Sequence, residues 1–453
     1  MLNRLLTAYA RAFEKWMPSP FAIAIGLTAI AALLALRQAS PEETLGAWTM
    51  GLWNPGLIRF GFQAMFMLVL GHVLALAPPV LRTLHRATRW IVSNPATAAA
   101  KLAGLAMLLG WLNWGLGLVG GAILARGVLD RVKRDGLPLN RGVLGAAGYM
   151  GMLVWHGGLS GSAPLKVAES GHLASLLPDA PWAADLPDAI GLRDTVFSAH
   201  SLGLTIAVAL VVLLAFQFLA STNEREKGRD LREEEPNTLG SPSSRRSPRI
   251  AVLPVFLGSA CIVGAVWWAQ QGAPVQELKF ITPDWINLVL LGMALLAHRS
   301  IDGMLVALDE AIQGAAGILI QFPLYFGIMG IVTGTGLGAE IAGTLVAATP
   351  REWLPFALFT SSGVLNIFVP SGGGQWAVQG PLVIESCHSL GVPLPQGIMA
   401  MAFGDQLTNL LQPFWALPLL GITGLQAREI LPYTVLVMLL AGAVMSAALI
   451  WFA

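Results

Sequence analysis

Long apolar runs separated by short polar stretches fill the chain, and four of those runs break near their middles. An unbroken run of about 20 apolar residues crosses a bilayer as a helix. The pattern predicts crossings near 18–36, 58–77, 195–219, 250–268, 285–297, 311–333 and 430–452. The breaks carry glycine with polar residues. They read Asn113-Trp-Gly115-Leu-Gly117 within 102–125, and Trp155-His156-Gly-Gly-Leu-Ser160-Gly-Ser162 within 142–165. The second pair reads Pro370-Ser371-Gly372-Gly373-Gly374 within 354–391, and Phe403-Gly-Asp405-Gln-Leu-Thr408-Asn409 within 397–420. In lipid, a broken helix is tolerated only where protein or a water-filled cavity covers the freed backbone. Carriers bind substrate and coupling ions at such breaks.

Charge decides how the broken runs lie. Residues 79–101 hold Arg82, Arg86, Arg89 and Lys101 with no acid, and 126–141 is also basic. Both loops are therefore expected on the cytoplasmic side. The run between them, 102–125, must enter and return. Each arm is expected to be about eleven residues, roughly 16 Å long at helical rise. The loops 334–352 and 388–396 contain Arg351 as their one basic residue other than histidine, which places them outside. The run 354–391 between them is then a second hairpin of opposite orientation. The basic segment 1–17 reads as an uncleaved anchor with the N-terminus cytoplasmic. Residues 37–56, with Trp48 and Trp53, are expected at the outer interface. The C-terminus is expected to be periplasmic.

Two halves follow, 1–219 and 250–453, joined by a polar cytoplasmic linker over 220–249. An extra helix near 250–268 turns the second half over. Gln63 falls against Gln321, Asn113 against Asn366 and Pro164 against Pro413, at offsets of 258, 253 and 249 residues. The expected fold is an all-α polytopic membrane protein built on an inverted repeat. It would have about nine transmembrane helices, two opposed re-entrant hairpins (102–125 and 354–391) and two broken helices (142–165 and 397–420).

Composition narrows the function. The chain is 55% hydrophobic and 12% charged, with a mean hydropathy of +0.66, which leaves no room for a large soluble enzyme domain. A net charge of +1 gives no footprint for nucleic acid, and two scattered cysteines make neither a disulfide framework nor a metal site. A helix that starts at the midplane presents unpaired N–H groups and a positive dipole end. That suits a carboxylate, bound by Asn113, Gly115, Gly117, Asn366, Ser371, Gly372, Gly373, Gly374 and Trp376. No Lys or Arg is expected near the tips, so a singly charged anion fits best. Trp114, Phe368, Trp376 and Trp415 would wall a short acyl chain. Asp405, an acid inside a span, is the first choice for coupling to H+ or Na+. His156, Ser160, Ser162, Thr408 and Asn409 complete that set. Each has a plainer reading, in which Asp405 caps a half-helix and the hydroxyls satisfy freed backbone. Other classes are a carrier of dicarboxylates or hydroxy acids, a channel, and an intramembrane protease using Gly158-Leu-Ser160-Gly161. The protease reading needs His200 near Ser160, and His200 is expected at the far end of its span.

The blocks Asn366-Ile-Phe-Val-Pro-Ser-Gly-Gly-Gly-Gln-Trp-Ala-Val-Gln-Gly-Pro381 and Gln412-Pro-Phe-Trp-Ala-Leu-Pro418 resemble the short-chain fatty acid transporter family of the acetoacetate and butyrate uptake type. Asn113-Trp-Gly-Leu-Gly-Leu-Val, Gly158-Leu-Ser-Gly-Ser-Ala-Pro164 and Gln321-Phe-Pro-Leu-Tyr325 extend the likeness over nearly the whole chain. The resemblance implies a bacterial inner-membrane symporter of short monocarboxylates. It also implies an elevator-like moving domain and, as in related carriers, a homodimer. The sequence departs from the family pattern at His156, where glycine is expected, and in a shorter, more charged linker.

Overall fold

The computed structural model describes residues 18–177, 180–223, 252–271, 282–346 and 349–451, together with Tyr9. The anchor expected over 1–17 lies outside them apart from Tyr9, as does the linker beyond Asn223. The regular structure of the described residues is entirely helical.

The first five helices are α1 Pro20–Ala35, α2 Pro41–Leu52, α3 Pro55–Ala75, α4 Pro78–Ile91 and α5 Pro95–Leu112. Each begins with proline, whose missing N–H and fixed φ suit the first helical position. Ser19, Ser40, Asn54 and Asn94 cap four of them, and Ser40 closes a capping box with Glu43. The segment expected as an interfacial stretch, 37–56, is therefore mostly α2. The basic stretch 79–101 contains the amphipathic α4.

Asn113 ends α5 and begins α6, Trp114–Asp135. The chain doubles back there. The sites facing one another are Gly110 with Gly117 and Ala106 with Gly121, so the arms run antiparallel. They are 18 and 22 residues long, longer than the expected eleven. Next come α7 Arg141–Tyr149, a 3-10 turn at Met150–Leu153, an irregular stretch to Gly161 and the short α8 Ser162–Val167. A loop with a helical turn at His172–Ser175 and a 3-10 turn at Pro181–Asp185 leads to α9 Ala199–Asn223.

The second half has α10 Val252–Gln271, α11 Pro283–His298, the 34-residue α12 Ile301–Gly334, and α13 Leu337–Val346. The axis bends by 70° between 319–334 and 337–344. The second hairpin is α14 Leu354–Phe368 and α15 Gly372–Leu390, turning at Val369–Ser371. The second broken segment is α16 Leu394–Thr408 and α17 Pro413–Thr423, and α18 Ala427–Trp451 closes the chain. By length and composition five described spans could each cross a membrane, one of them Pro41–Ala75 across α2 and α3, and the bent pair makes a sixth. The half-helices of the broken segments are too short to meet that test singly.

Small residues set the packing, as expected where lipid supplies no hydrophobic drive between helices. A Cβ on Gly117 would stand 2.4 Å from Gly110 Cα, and one on Gly110 would stand 2.3 Å from Gly151 O. The first hairpin and the first broken segment thus touch backbone to backbone. On the other side α2 meets α12 through Gly51 and Gly330, whose Cα lies 2.7 Å from a Cβ built on Gly51.

Substituting Gly117→Val should therefore cost at least the roughly 1–3 kcal/mol of an overpacked core, because backbone cannot move aside as a side chain can. Gly26→Val, which meets nothing within 4 Å, is the matched control in α1. Melting in detergent, followed by circular dichroism, should fall by several degrees for the first and hardly move for the second.

Candidate functional site

The irregular stretch 155–160 is where the two hairpin tips meet. The first tip docks on its far end: Leu159 N donates to Trp111 O at 2.8 Å, and Trp114 N donates to Ser160 Oγ at 2.8 Å. The second tip docks on its near end. A Cβ on Gly372 would stand 2.6 Å from the Trp155 ring and 2.9 Å from His156 Cε1. Only a glycine at the start of α15 lets the tip come this close.

The second broken segment completes the junction. Gly157 N donates to Gln406 Oε1 at 2.9 Å, and Tyr149 Oη donates to Asn409 O at 2.9 Å. His156 Nδ1 lies 2.7 Å from Asp405 Oδ2, and both side chains are essentially shut off from solvent. His156 Nε2 accepts from Ala163 N at 3.1 Å, the first turn of α8. That acceptance fixes the tautomer: Nε2 carries the lone pair and Nδ1 the proton that faces Asp405. The approach is a close polar contact: neither Asp405 oxygen, nor His156 Nδ1, completes a hydrogen bond among the described residues.

The two tips differ in what they offer an anion. At the first tip Asn113 Oδ1 accepts from Gly115 N (2.9 Å) and Leu116 N (3.2 Å). Ser160 takes Trp114 N, and Asn113 O takes Gly117 N at 2.9 Å. The first four N–H groups of α6 are therefore spent. At the second tip Ser371 Oγ accepts from Gly374 N at 3.2 Å and Ser371 O from Gln375 N at 2.7 Å. The N–H groups of Gly372 and Gly373 precede the intrahelical ladder of α15. Gly373 lies beside α8, its Cβ position 3.9 Å from Ser162 Oγ. Asn113 and Ser371 thus hold the same capping position, 258 residues apart, the offset that also separates Gln63 from Gln321.

Asn366 sits one turn before the second tip, fully buried. Its Nδ2 faces Asp405 O (2.8 Å), Thr408 Oγ1 (2.9 Å) and Asn409 Oδ1 (2.9 Å). Thr408 Oγ1 in turn donates to Gly363 O at 3.0 Å. The amide orientation follows from that ring of acceptors and turns Asn366 Oδ1 the other way, where it has no partner among the described residues. Gln375 Oε1 and Gln412 Oε1 are likewise buried and unpartnered there. Three amide oxygens and both oxygens of the Asp405 carboxylate without donors are an arrangement that a proton or a cation would relieve.

The sequence pattern did not single out several members of this network. Gln375 Nε2 donates to Ser362 Oγ at 2.6 Å and Gln379 Nε2 to Ser361 Oγ at 2.7 Å, which zips the arms of the second hairpin together. Ser362 Oγ donates to Met401 O at 2.7 Å and ties that hairpin to α16. Gln412 donates to Asn366 O. The available signal was glutamine at i and i+4 on an otherwise apolar helix. Trp376, placed in the substrate set, is 2% exposed, and its indole N–H donates to His172 Nε2 at 2.9 Å. Trp114 and Trp415 pack edge to face with centroids 5.6 Å apart, beside Phe60. They line the first tip rather than the second.

Two comparisons bear on the family. The family model described as short chain fatty acid transporter matches residues 1–452. A protein of Escherichia coli (strain K12) named for short-chain fatty acid transport is 33% identical over 98% of both chains. One so named from Haemophilus influenzae is 30% identical over 95% of both. Among solved structures, the YdaH transporter of Alcanivorax borkumensis aligns over 96% of this chain and 97% of its own, at 14% identity and a TM-score of 0.43.

The His172–Trp376 bond requires a neutral imidazole. Burial first, then the Lys166 ammonium, hold the His172 pKa below its ordinary value of 6.5, with Glu169 opposing. A depressed histidine pKa means the contact is intact above 6.5 and is lost as pH falls through the folded value. Selective histidine NMR in detergent should show His172 titrating below 6.5, and Trp376→Phe should raise that midpoint.

Proposed function

Because the chain belongs to the short-chain fatty acid transporter family, we propose that it binds short monocarboxylates at the second hairpin tip and couples their movement to protonation of Asp405. The family is one of multi-pass membrane transporters, not of enzymes. Ser160, the residue a protease would need, already accepts the Trp114 N–H.

One observation carries the reading. The open N–H groups of α15 begin at a glycine whose Cβ position is 3.1 Å from Asp405 Oδ2. A substrate carboxylate held by Gly372 and Gly373 would face an ionised Asp405 across a few ångströms. Two like charges at about 4 Å repel by roughly 4 kcal/mol even at an effective dielectric of 20. A proton on Asp405 removes that repulsion. His156 cannot take it without giving up its bond from Ala163, so in this reading an Asp405 carboxylate oxygen receives it. Proton and carboxylate then bind together or not at all, which is the condition for symport.

The side chains gathered at the junction support a single negative charge on the substrate. They are amides, hydroxyls, one imidazole and one carboxylate, with no guanidinium or ammonium among those named. A dicarboxylate would leave its second charge without a counterion. Asn366, Gln375 and Gln412 could instead share a sodium ion with Asp405, which is the second coupling reading and rests on their unpartnered oxygens. We further propose that the two hairpins enter the membrane from opposite faces, the first from the cytoplasm. In this reading the N-terminus is cytoplasmic, and one hairpin domain moves against the rest, elevator-like.

Asp405→Asn, neutral at every pH, separates binding from coupling. In proteoliposomes it should keep butyrate–butyrate exchange within a few-fold of the parent and lose accumulation driven by a pH gradient by at least tenfold. Accumulation that survives the substitution refutes proton coupling through Asp405. Accumulation by the parent that follows only a Na+ gradient favours the sodium reading. Asn366→Ala should weaken exchange and coupling together, because it removes the amide that orders Asp405 O, Thr408 and Asn409.

A further inference from the structure

Away from the junction, a pocket of about 650 Å³ opens between α4 and the C-terminal end of α6. Arg86, Arg89, Trp90, Ser93, Arg131 and Asp135 line it, with Val92 and Leu137 as an apolar floor. We propose that it binds the headgroup of an anionic phospholipid.

Charge is the first argument. Three arginines face one aspartate, and that aspartate is already engaged, its Oδ2 2.8 Å from Arg131 Nε. Helix α4 carries no acid, and Arg82, Arg86 and Arg89 recur at spacings of four and three residues, so they share one face. The opposite face is packed: Thr88 and Ile91 are buried, and Thr88 Cγ2 is 3.0 Å from a Cβ built on Gly127 of α6. The arginine face is thus held outward on a fixed helix. Lys101 adds a further positive charge nearby, with Nζ donating to Ser93 Oγ at 3.1 Å and lying 5.0 Å above the Trp90 ring.

The second argument is shape and polarity. The pocket is the size of a small-molecule site, far roomier than a bare phosphate needs. Guanidinium forks suit phosphate oxygens bidentately. Trp90, 55% exposed at the rim, is the residue type that settles at the headgroup level of a bilayer. The apolar floor at Val92 and Leu137 suits glycerol and the first methylenes, which a soluble phosphate lacks. Basic pockets beside membrane helices take anionic lipid by these same forces, at about fivefold in affinity for each basic residue.

The test uses the full chain in a zwitterionic detergent, with its melting temperature followed as dioctanoyl phosphatidylglycerol, dioctanoyl phosphatidylcholine or inorganic phosphate is added. The phosphatidylglycerol should raise the melting temperature at concentrations where the other two do nothing. Arg86→Gln with Arg89→Gln, both exposed positions, should raise the concentration for half the shift by at least tenfold. Equal shifts from the two lipids, or an unchanged titration in the double variant, would overturn the proposal. A phosphate shift matching that of the lipid would assign the pocket to a free anion and overturn the lipid reading.

Discussion

Backbone groups freed inside an apolar bundle must find partners within the protein, and the site follows from where they fail to. A helix start leaves four N–H groups unpaired, and no water reaches them in the bilayer core. At the first tip Asn113 and Ser160 use up all four, so that tip is finished as structure. At the second tip Ser371 and its carbonyl reach only Gly374 and Gln375. The donors of Gly372 and Gly373 are left facing a junction whose side chains present surplus acceptors. Gly372 is buried at the junction and Gly373 is exposed beside it; surplus donors and surplus acceptors there are what a bound carboxylate and a bound proton together would satisfy.

The rest of the molecule holds that junction in place. Gly110, Gly117 and Gly151 bring the first hairpin onto the first broken segment at backbone contact, which fixes the stretch 155–160 against one tip. The serine–glutamine ladder of Ser361, Ser362, Gln375 and Gln379 fixes the other tip with four buried side chains. Each such bond in a membrane interior contributes about 0.6 kcal/mol on average. Their value here is positional more than energetic, since they decide where Gly372 ends up relative to Asp405.

Much of this was legible in the sequence, for reasons that can be named. Glycine with polar residues marked the breaks. Opposed loop charges were the ground for expecting hairpins in place of simple crossings. Asp405 and His156 stood out as an acid and an imidazole in apolar runs, though nothing in the spacing said they would lie 2.7 Å apart. Helix α2 was less legible because Pro41-Glu-Glu-Thr reads as polar loop, although Ser40 and Glu43 spelled a capping box. Aligning Asn113 with Asn366 matched residue types. The fold matches roles, and there Ser371 is the partner of Asn113, while Asn366 orders the acceptors behind the tip. The inequality of the two tips lies in which N–H groups a cap reaches, and that depends on geometry of under an ångström that no one-letter pattern carries.

The most direct test of the central claim is proton uptake on substrate binding. Butyrate is added to the purified protein in weakly buffered detergent solution at several pH values from 5 to 8, and a pH indicator counts the protons taken up. Binding should be accompanied by uptake approaching one proton per carboxylate as pH rises, and by none in Asp405→Asn. Binding by the parent with no proton uptake across that range, or equal uptake in the variant, would contradict it.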